Sequence, residues 1–124
     1  MDDYKTTLRR LALRDDRYIE SLLADERGNV ARSKLDPGAH ALARVGALIA
    51  MDAAPPSYMS AVEAAGDAGV THEEIVGTLI AVLTVVGVAR VVSAAPNLGL
   101  AIGYDVGDAL ERLELPGHPQ PDAA

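Results

Sequence analysis

The 124-residue sequence predicts an all-α fold of five to six helices, oligomeric in its working form, and three observations carry that expectation. Apolar residues recur at helical spacing through residues 3–26 and 37–53. Thr71 followed by Glu74 is a capping-box helix start, with Val70 and Ile75 placed as a hydrophobic staple. Residues 75–89 then carry no charge at all.

The elements follow in chain order. Residues 3–26 read as a first helix, on Tyr4, Leu8, Leu11, Tyr18, Ile19, Leu22 and Leu23. Asp15 and Asp16 interrupt that stripe and mark a bend or break. Gly28 and Asn29 read as its stop, and residues 28–34 as a polar loop. Asp36 and Pro37 open a second helix over residues 37–53, as N-cap and first helical residue. Pro55 and Pro56 read as its end. A short Ala-rich helix spans 57–68 and closes at Gly69.

The fourth helix is expected from His72 to about Ala94, with Gly87 as a point of loosening. It is too short and too interrupted for a membrane span, which needs about 20 apolar residues. It reads instead as a buried central helix. A helix apolar all round must be covered on all sides, and the remaining short helices are too few for that. A second copy of the chain is therefore expected against it. Gly77, Ala81 and Thr84 form a small-residue stripe suited to close helix packing. Pro96 reads as a break, and residues 98–113 as a last helix weakened by Gly99, Gly103 and Gly107. The organisation expected is one helical domain over 1–115 and a disordered, Pro-rich tail over 116–124.

Composition removes whole classes of function. The net charge of −7 opposes nucleic-acid binding and anionic membrane surfaces. With no cysteine, there is no disulfide, thiolate metal site or thiol nucleophile. Phe and Trp are absent, so the core must come from Ala, Val, Leu, Ile and Met. No dinucleotide or phosphate-binding glycine loop and no nucleophile elbow is present. Residues 1–10 are charged and lack an apolar segment, so the expected location is cytoplasmic. The Ala-, Gly-, Val- and Arg-rich composition suits a bacterial source.

The order of motifs adds a resemblance. Leu35, Asp36 and Pro37 open a helix that leads into an Ala-rich one. Gly69, Val70, Thr71, Glu73, Glu74 and Ile75 follow, then a long apolar helix ending in Val86, Gly87, Val88, Ala89 and Arg90. This set, over residues 35–95, resembles the carboxymuconolactone decarboxylase/alkylhydroperoxidase-D family. The resemblance implies a helical bundle assembled as a homo-trimer or homo-hexamer. It also places that family's reactive groups. The Cys-x-x-Cys positions fall at Ala54 and Ser57, the His at Ala61 and the upstream Glu at Ala41. All four are replaced, so thiol peroxidase chemistry is not expected.

Other residues remain as candidates. His40 and Arg44 lie one turn apart and share a helix face. An imidazole beside a guanidinium suits a general base. Tyr58 and Glu63 stand on the short helix where the resembled family has its site, with Asp67 one turn beyond Glu63. Asp52 ends the second helix, and Arg90 ends the apolar run. The catalytic candidates are accordingly His40, Tyr58 and Glu63. The substrate-binding candidates are Arg44, Asp52 and Arg90. No cofactor and no metal is expected, since no His stands at ligand spacing with the carboxylates.

Two functions stay open. One is a cofactor-free lyase or isomerase, or a binder, for a small organic acid or lactone-like metabolite. The other is a non-catalytic oligomeric scaffold or binding protein that kept the fold and lost the active site. A polar pocket holding several of the six candidates favours the first, and apolar filling favours the second.

Overall fold

The computed structural model describes residues 3–112, which are helical and contain no strand. The described helices are α1 (Tyr4–Ala12), α2 (Asp16–Leu23), α3 (Glu26–Ser33), α4 (Pro37–Met51), α5 (Pro55–Asp67), α6 (His72–Val86), α7 (Val88–Ala101) and α8 (Val106–Arg112). The all-α expectation holds. The number of described helices exceeds the five to six expected, because Asp15 and Asp25 each open a further helix in the N-terminal stretch and Gly87 divides the apolar run. The expected tail, 116–124, lies outside the described residues.

The first split is at Asp15. Its side chain accepts from the Tyr18 N–H at 3.2 Å and starts α2 afresh. Arg14, at φ 55, turns the chain just before it. The second correction concerns residues 28–34, which are helical and not a loop. Asp25 accepts from Gly28 N–H at 2.5 Å, so Gly28 lies in the first turn of α3 and is no stop signal. Asp3 caps α1 in the same way through Thr6 N–H at 2.9 Å. The same residue type thus opens each of the first three helices.

Asp36 caps α4 through Ala39 N–H at 3.1 Å, as expected. The prolines act in the opposite sense from the one expected. Pro55 and Pro56 begin α5 in its first turn, where a missing N–H has no helical partner to lose. The end of α4 is set by Asp52, held at φ 54. At Thr71 the capping box is complete: Glu74 N–H donates to Thr71 Oγ1 at 3.1 Å, and Thr71 N–H donates to Glu74 Oε1 at 2.9 Å.

The expected helix from His72 to Ala94 is two helices. Gly87 ends α6 and begins α7 at φ 90, ψ 165, a conformation reserved in practice to glycine. Pro96 does not break α7 but lies inside it. An interior proline costs about 3 kcal/mol. Buried Ala94 and Leu98 on either side anchor the helix through that point. The chain then turns back onto buried Gly99, where an added Cβ would stand 2.9 Å from Tyr104 O. That turn separates α8 from α7, so residues 98–113 do not form one helix.

The described chain divides into two compact units, Met1–His40 and Ala41–Ala124. In the second, Val45, Ile49, Tyr58, Ala65, Ile75, Ala94 and Leu98 form the centre of an apolar core. Helices α5 and α6 pack on α7. In the first, α2 packs on α3, and α1, α2 and α3 bury no residue fully. No helix among the described residues is long and apolar enough to cross a membrane.

Within this chain the apolar run of α6 is covered on one face only. Ile75, Thr78 and Leu79 are buried, while Val76, Ile80 and Leu83 are exposed at i, i+4, i+7 spacing. Beside them, Ala81 and Thr84 are exposed, and nothing lies within 4 Å of where a Gly77 Cβ would be.

Candidate functional site

The C-terminal end of α4 brings three of the six candidate residues near one another. Asp52 projects from the turn after α4. Its Oδ2 lies 3.3 Å from Arg90 Nη1, and both side chains are about half exposed. Its Oδ1 accepts from Ser93 Oγ at 2.7 Å. Ser93 is one turn beyond Arg90 on α7, so a single carboxylate takes both. The left-handed backbone of Asp52 aims the carboxylate at α7, and the two bonds hold it there. An exposed pair of this kind contributes about 0–1 kcal/mol. Its effect is to fix where α4 ends.

Tyr58 is the third member. Its ring is fully buried in the core, and its hydroxyl donates to Leu48 O at 3.2 Å. Burial raises the phenol above its ordinary value of 10.0, and the Asp52 carboxylate adds to that rise, against a backbone hydrogen bond at Ala53. A neutral phenol bonded to a helix-end carbonyl is a packing element. Its one polar atom has found a protein partner, as a buried Tyr hydroxyl requires.

The other candidates stand apart from this cluster. His40 is buried, and its Nε2 lies 2.8 Å from Asn29 Oδ1. The Nδ2 of the same Asn29 donates to Leu22 O at 3.0 Å. Asn29 therefore bridges the end of α2 to His40, a role that its reading as a helix stop concealed. Arg44, Glu63 and Asp67 are exposed. No group of three or more His, Asp or Glu among the described residues is placed to hold a metal ion.

Of the four positions that the resemblance matches to reactive groups, Ala41 and Ala61 are taken up by apolar packing, whereas Ala54 and Ser57 are exposed. Ala41 lies in the core and Ala61 packs against it. Ala54 is the N-cap of α5 and makes no side-chain cap bond. A cleft of about 490 Å³ opens in the Met1–His40 unit, and none of the six candidates lines it.

Ser93 and Asn29 are the polar partners that sequence reasoning missed. The signal for Ser93 was its one-turn spacing from Arg90. For Asn29 there was none, since its partners lie seven and eleven residues away. Comparison of the chain with protein-family models, with curated proteins and with solved structures finds no match.

Proposed function

We propose that this chain is a non-catalytic, homo-oligomeric helical scaffold or binding protein, of carboxymuconolactone decarboxylase-like descent, without that family's chemistry. The observation that carries the reading is the uncovered apolar face of α6 and α7. Ile80 is 72% exposed, Val85 84% and Val88 67%, with Val92 also exposed. Each large aliphatic side chain left in water forgoes about 1.5–3 kcal/mol of burial. Monomeric soluble proteins rarely leave contiguous apolar patches of more than a few hundred Å² uncovered. The adjoining Gly77, Ala81 and Thr84 add little bulk, so a helix from another copy would approach closely. A homo-trimer or homo-hexamer accords with the family resemblance.

Two features favour a scaffold over a lyase. The six candidate residues do not converge on a common cavity. The positions matching the reactive groups hold Ala or Ser, and two of the four, Ala41 and Ala61, belong to or pack on the core.

Native mass measurement at micromolar concentration tests the assembly. A trimer or hexamer is expected, and Ile80→Glu is expected to dissociate it while leaving helix content unchanged. A wild-type chain that stays monomeric and folded would sink the proposal. So would lyase turnover of a lactone or small organic acid that is lost in Tyr58→Phe or Glu63→Gln.

A further inference from the structure

Two rows of side chains run side by side along the uncovered face of α6. Val76, Ile80 and Leu83 form a large row, and Gly77, Ala81 and Thr84 form a small one. Each small residue directly follows a large one, so both rows step by four residues and then by three. Consecutive residues of a helix point about 100° apart, which sets the rows next to each other. Ile75, Thr78 and Leu79 take another face of α6 into the core, and neither row is used there. Ile80 is the most exposed residue of the large row. The small row leaves open space beside it, with nothing within 4 Å of where a Gly77 Cβ would be.

Helices pack by seating the side-chain ridge of one in the groove of another. A single face of α6 carries both, a ridge in the large row and a groove in the small row. No residue from Ile75 to Ala89 is charged, so a second α6 covers this face without taking a charge out of water. The symmetry between two copies decides whether ridge meets groove. Rotation about an axis parallel to α6 brings the large row of one copy against the small row of the next. An antiparallel two-fold sets large beside large and small beside small. It crowds one side of the contact and leaves a gap along the other, and close-packed contacts tolerate neither.

We propose that α6 docks on α6 of a second copy in parallel, the large row of each copy seated in the small row of the next, which rests on the homo-oligomeric reading above and names its partner segment. Rotation without translation keeps the copies at one height. Val76 then stands beside Gly77 of the next copy, Ile80 beside its Ala81, and Leu83 beside its Thr84. Such a contact runs head to tail and closes into a ring when the rotation closes.

The test is disulfide cross-linking between single-cysteine variants of this cysteine-free chain. A disulfide forms only where two Cα atoms lie within about 7 Å. Val76→Cys and Gly77→Cys chains, co-expressed and mildly oxidised, are expected to give a covalent dimer on a non-reducing gel. Leu83→Cys with Thr84→Cys is the second pair should the first fail to fold. Val76→Cys with Leu83→Cys is expected to give none, since seven residues of helix separate the two heights by about 10 Å. An antiparallel pair reverses that pattern. Ala81→Leu, at an exposed position, fills the seat for Ile80 and is expected to weaken assembly about tenfold or more. In an antiparallel pair the same change fills the gap and tightens assembly. Linkage of residues 76 and 83 in place of 76 and 77 overturns the parallel contact, as does tighter or unchanged assembly of Ala81→Leu. An oligomer by native mass with no pair linked removes α6 from the interface and leaves the oligomeric reading standing. A monomer by native mass ends both.

Discussion

Residues 1–40 and the helices after them are built on different physical terms. From Ala41 onward, stability rests on burial. Ile49, Tyr58, Ile75 and Leu98 are removed from water, and the helix ends are trimmed to suit the core. In Met1–His40 the helices are short, each opened by an aspartate, and their apolar residues Tyr4, Leu8 and Leu11 stay exposed. Among the described residues of that unit His40 is the buried one, and it is held by a hydrogen bond. Charge divides the same way. The N-terminal forty residues are electrically neutral and cation-rich, whereas the remainder carries the whole net charge of −7. One region is thus fixed by apolar area, and the other presents polar groups to solvent.

Substitutions placed across that boundary separate the two regimes. The largest effect is expected at Ile49, which is fully buried. Ile49→Ala should destabilise the chain by about 2–5 kcal/mol in urea unfolding, through lost transfer energy and a residual cavity. Leu8→Ala, at a position 60% exposed, should shift stability by no more than about 0.5 kcal/mol. Equal losses at the two sites would dissolve the contrast.

A smaller effect is expected at Gly99. A Cβ there meets Tyr104 O and Val106 Cγ2, each at 2.9 Å, and a backbone oxygen cannot swing away. Gly99→Ala should cost about 1–3 kcal/mol by overpacking. Gly66→Ala, in a helix with nothing within 4 Å of the new methyl, should stabilise by up to about 1 kcal/mol. Opposite signs in thermal melts would confirm that space, not glycine content, decides.

Tyr58→Phe should cost about 1 kcal/mol, for one hydroxyl bond. Its signature lies in pH. The folded phenol titrates above the unfolded value of 10.0, so below that pH its contribution is fully present. As pH rises past 10.0 towards the raised folded value, the unfolded state loses protons first and stability falls. The slope of stability against pH in that window should flatten in Tyr58→Phe. An unchanged slope would show that the hydroxyl is not sealed from water.

The local signals that proved legible share one property: they are complete within a single turn of chain. The capping box at Thr71 and Glu74 and the cap at Asp36 could be read directly because donor and acceptor are three residues apart. Asp15 carries the same signal and marks a break, as expected, whereas at Asp25 the stop signal of Gly28 and Asn29 masks the helix that the aspartate opens. The pairing of Asp52 with Arg90 and Ser93 spans about forty residues, so each group was visible but their meeting was not. Likewise the residues lining the N-terminal cleft come from α1, α2 and the end of α3, and only folding gathers them.

The sequence by itself determined the helical class, the caps of α4 and α6, the exclusion of cysteine chemistry and the acidity of the chain. Propensity, charge and residue inventory are local or additive, and nothing distant need be known to read them. Tertiary structure decided that Gly87 divides the apolar helix, that Pro96 stays inside one, and which face of α6 is left bare. Each of those outcomes compares a local cost with the apolar area that distant segments bury in return, and that area exists only once the chain has folded.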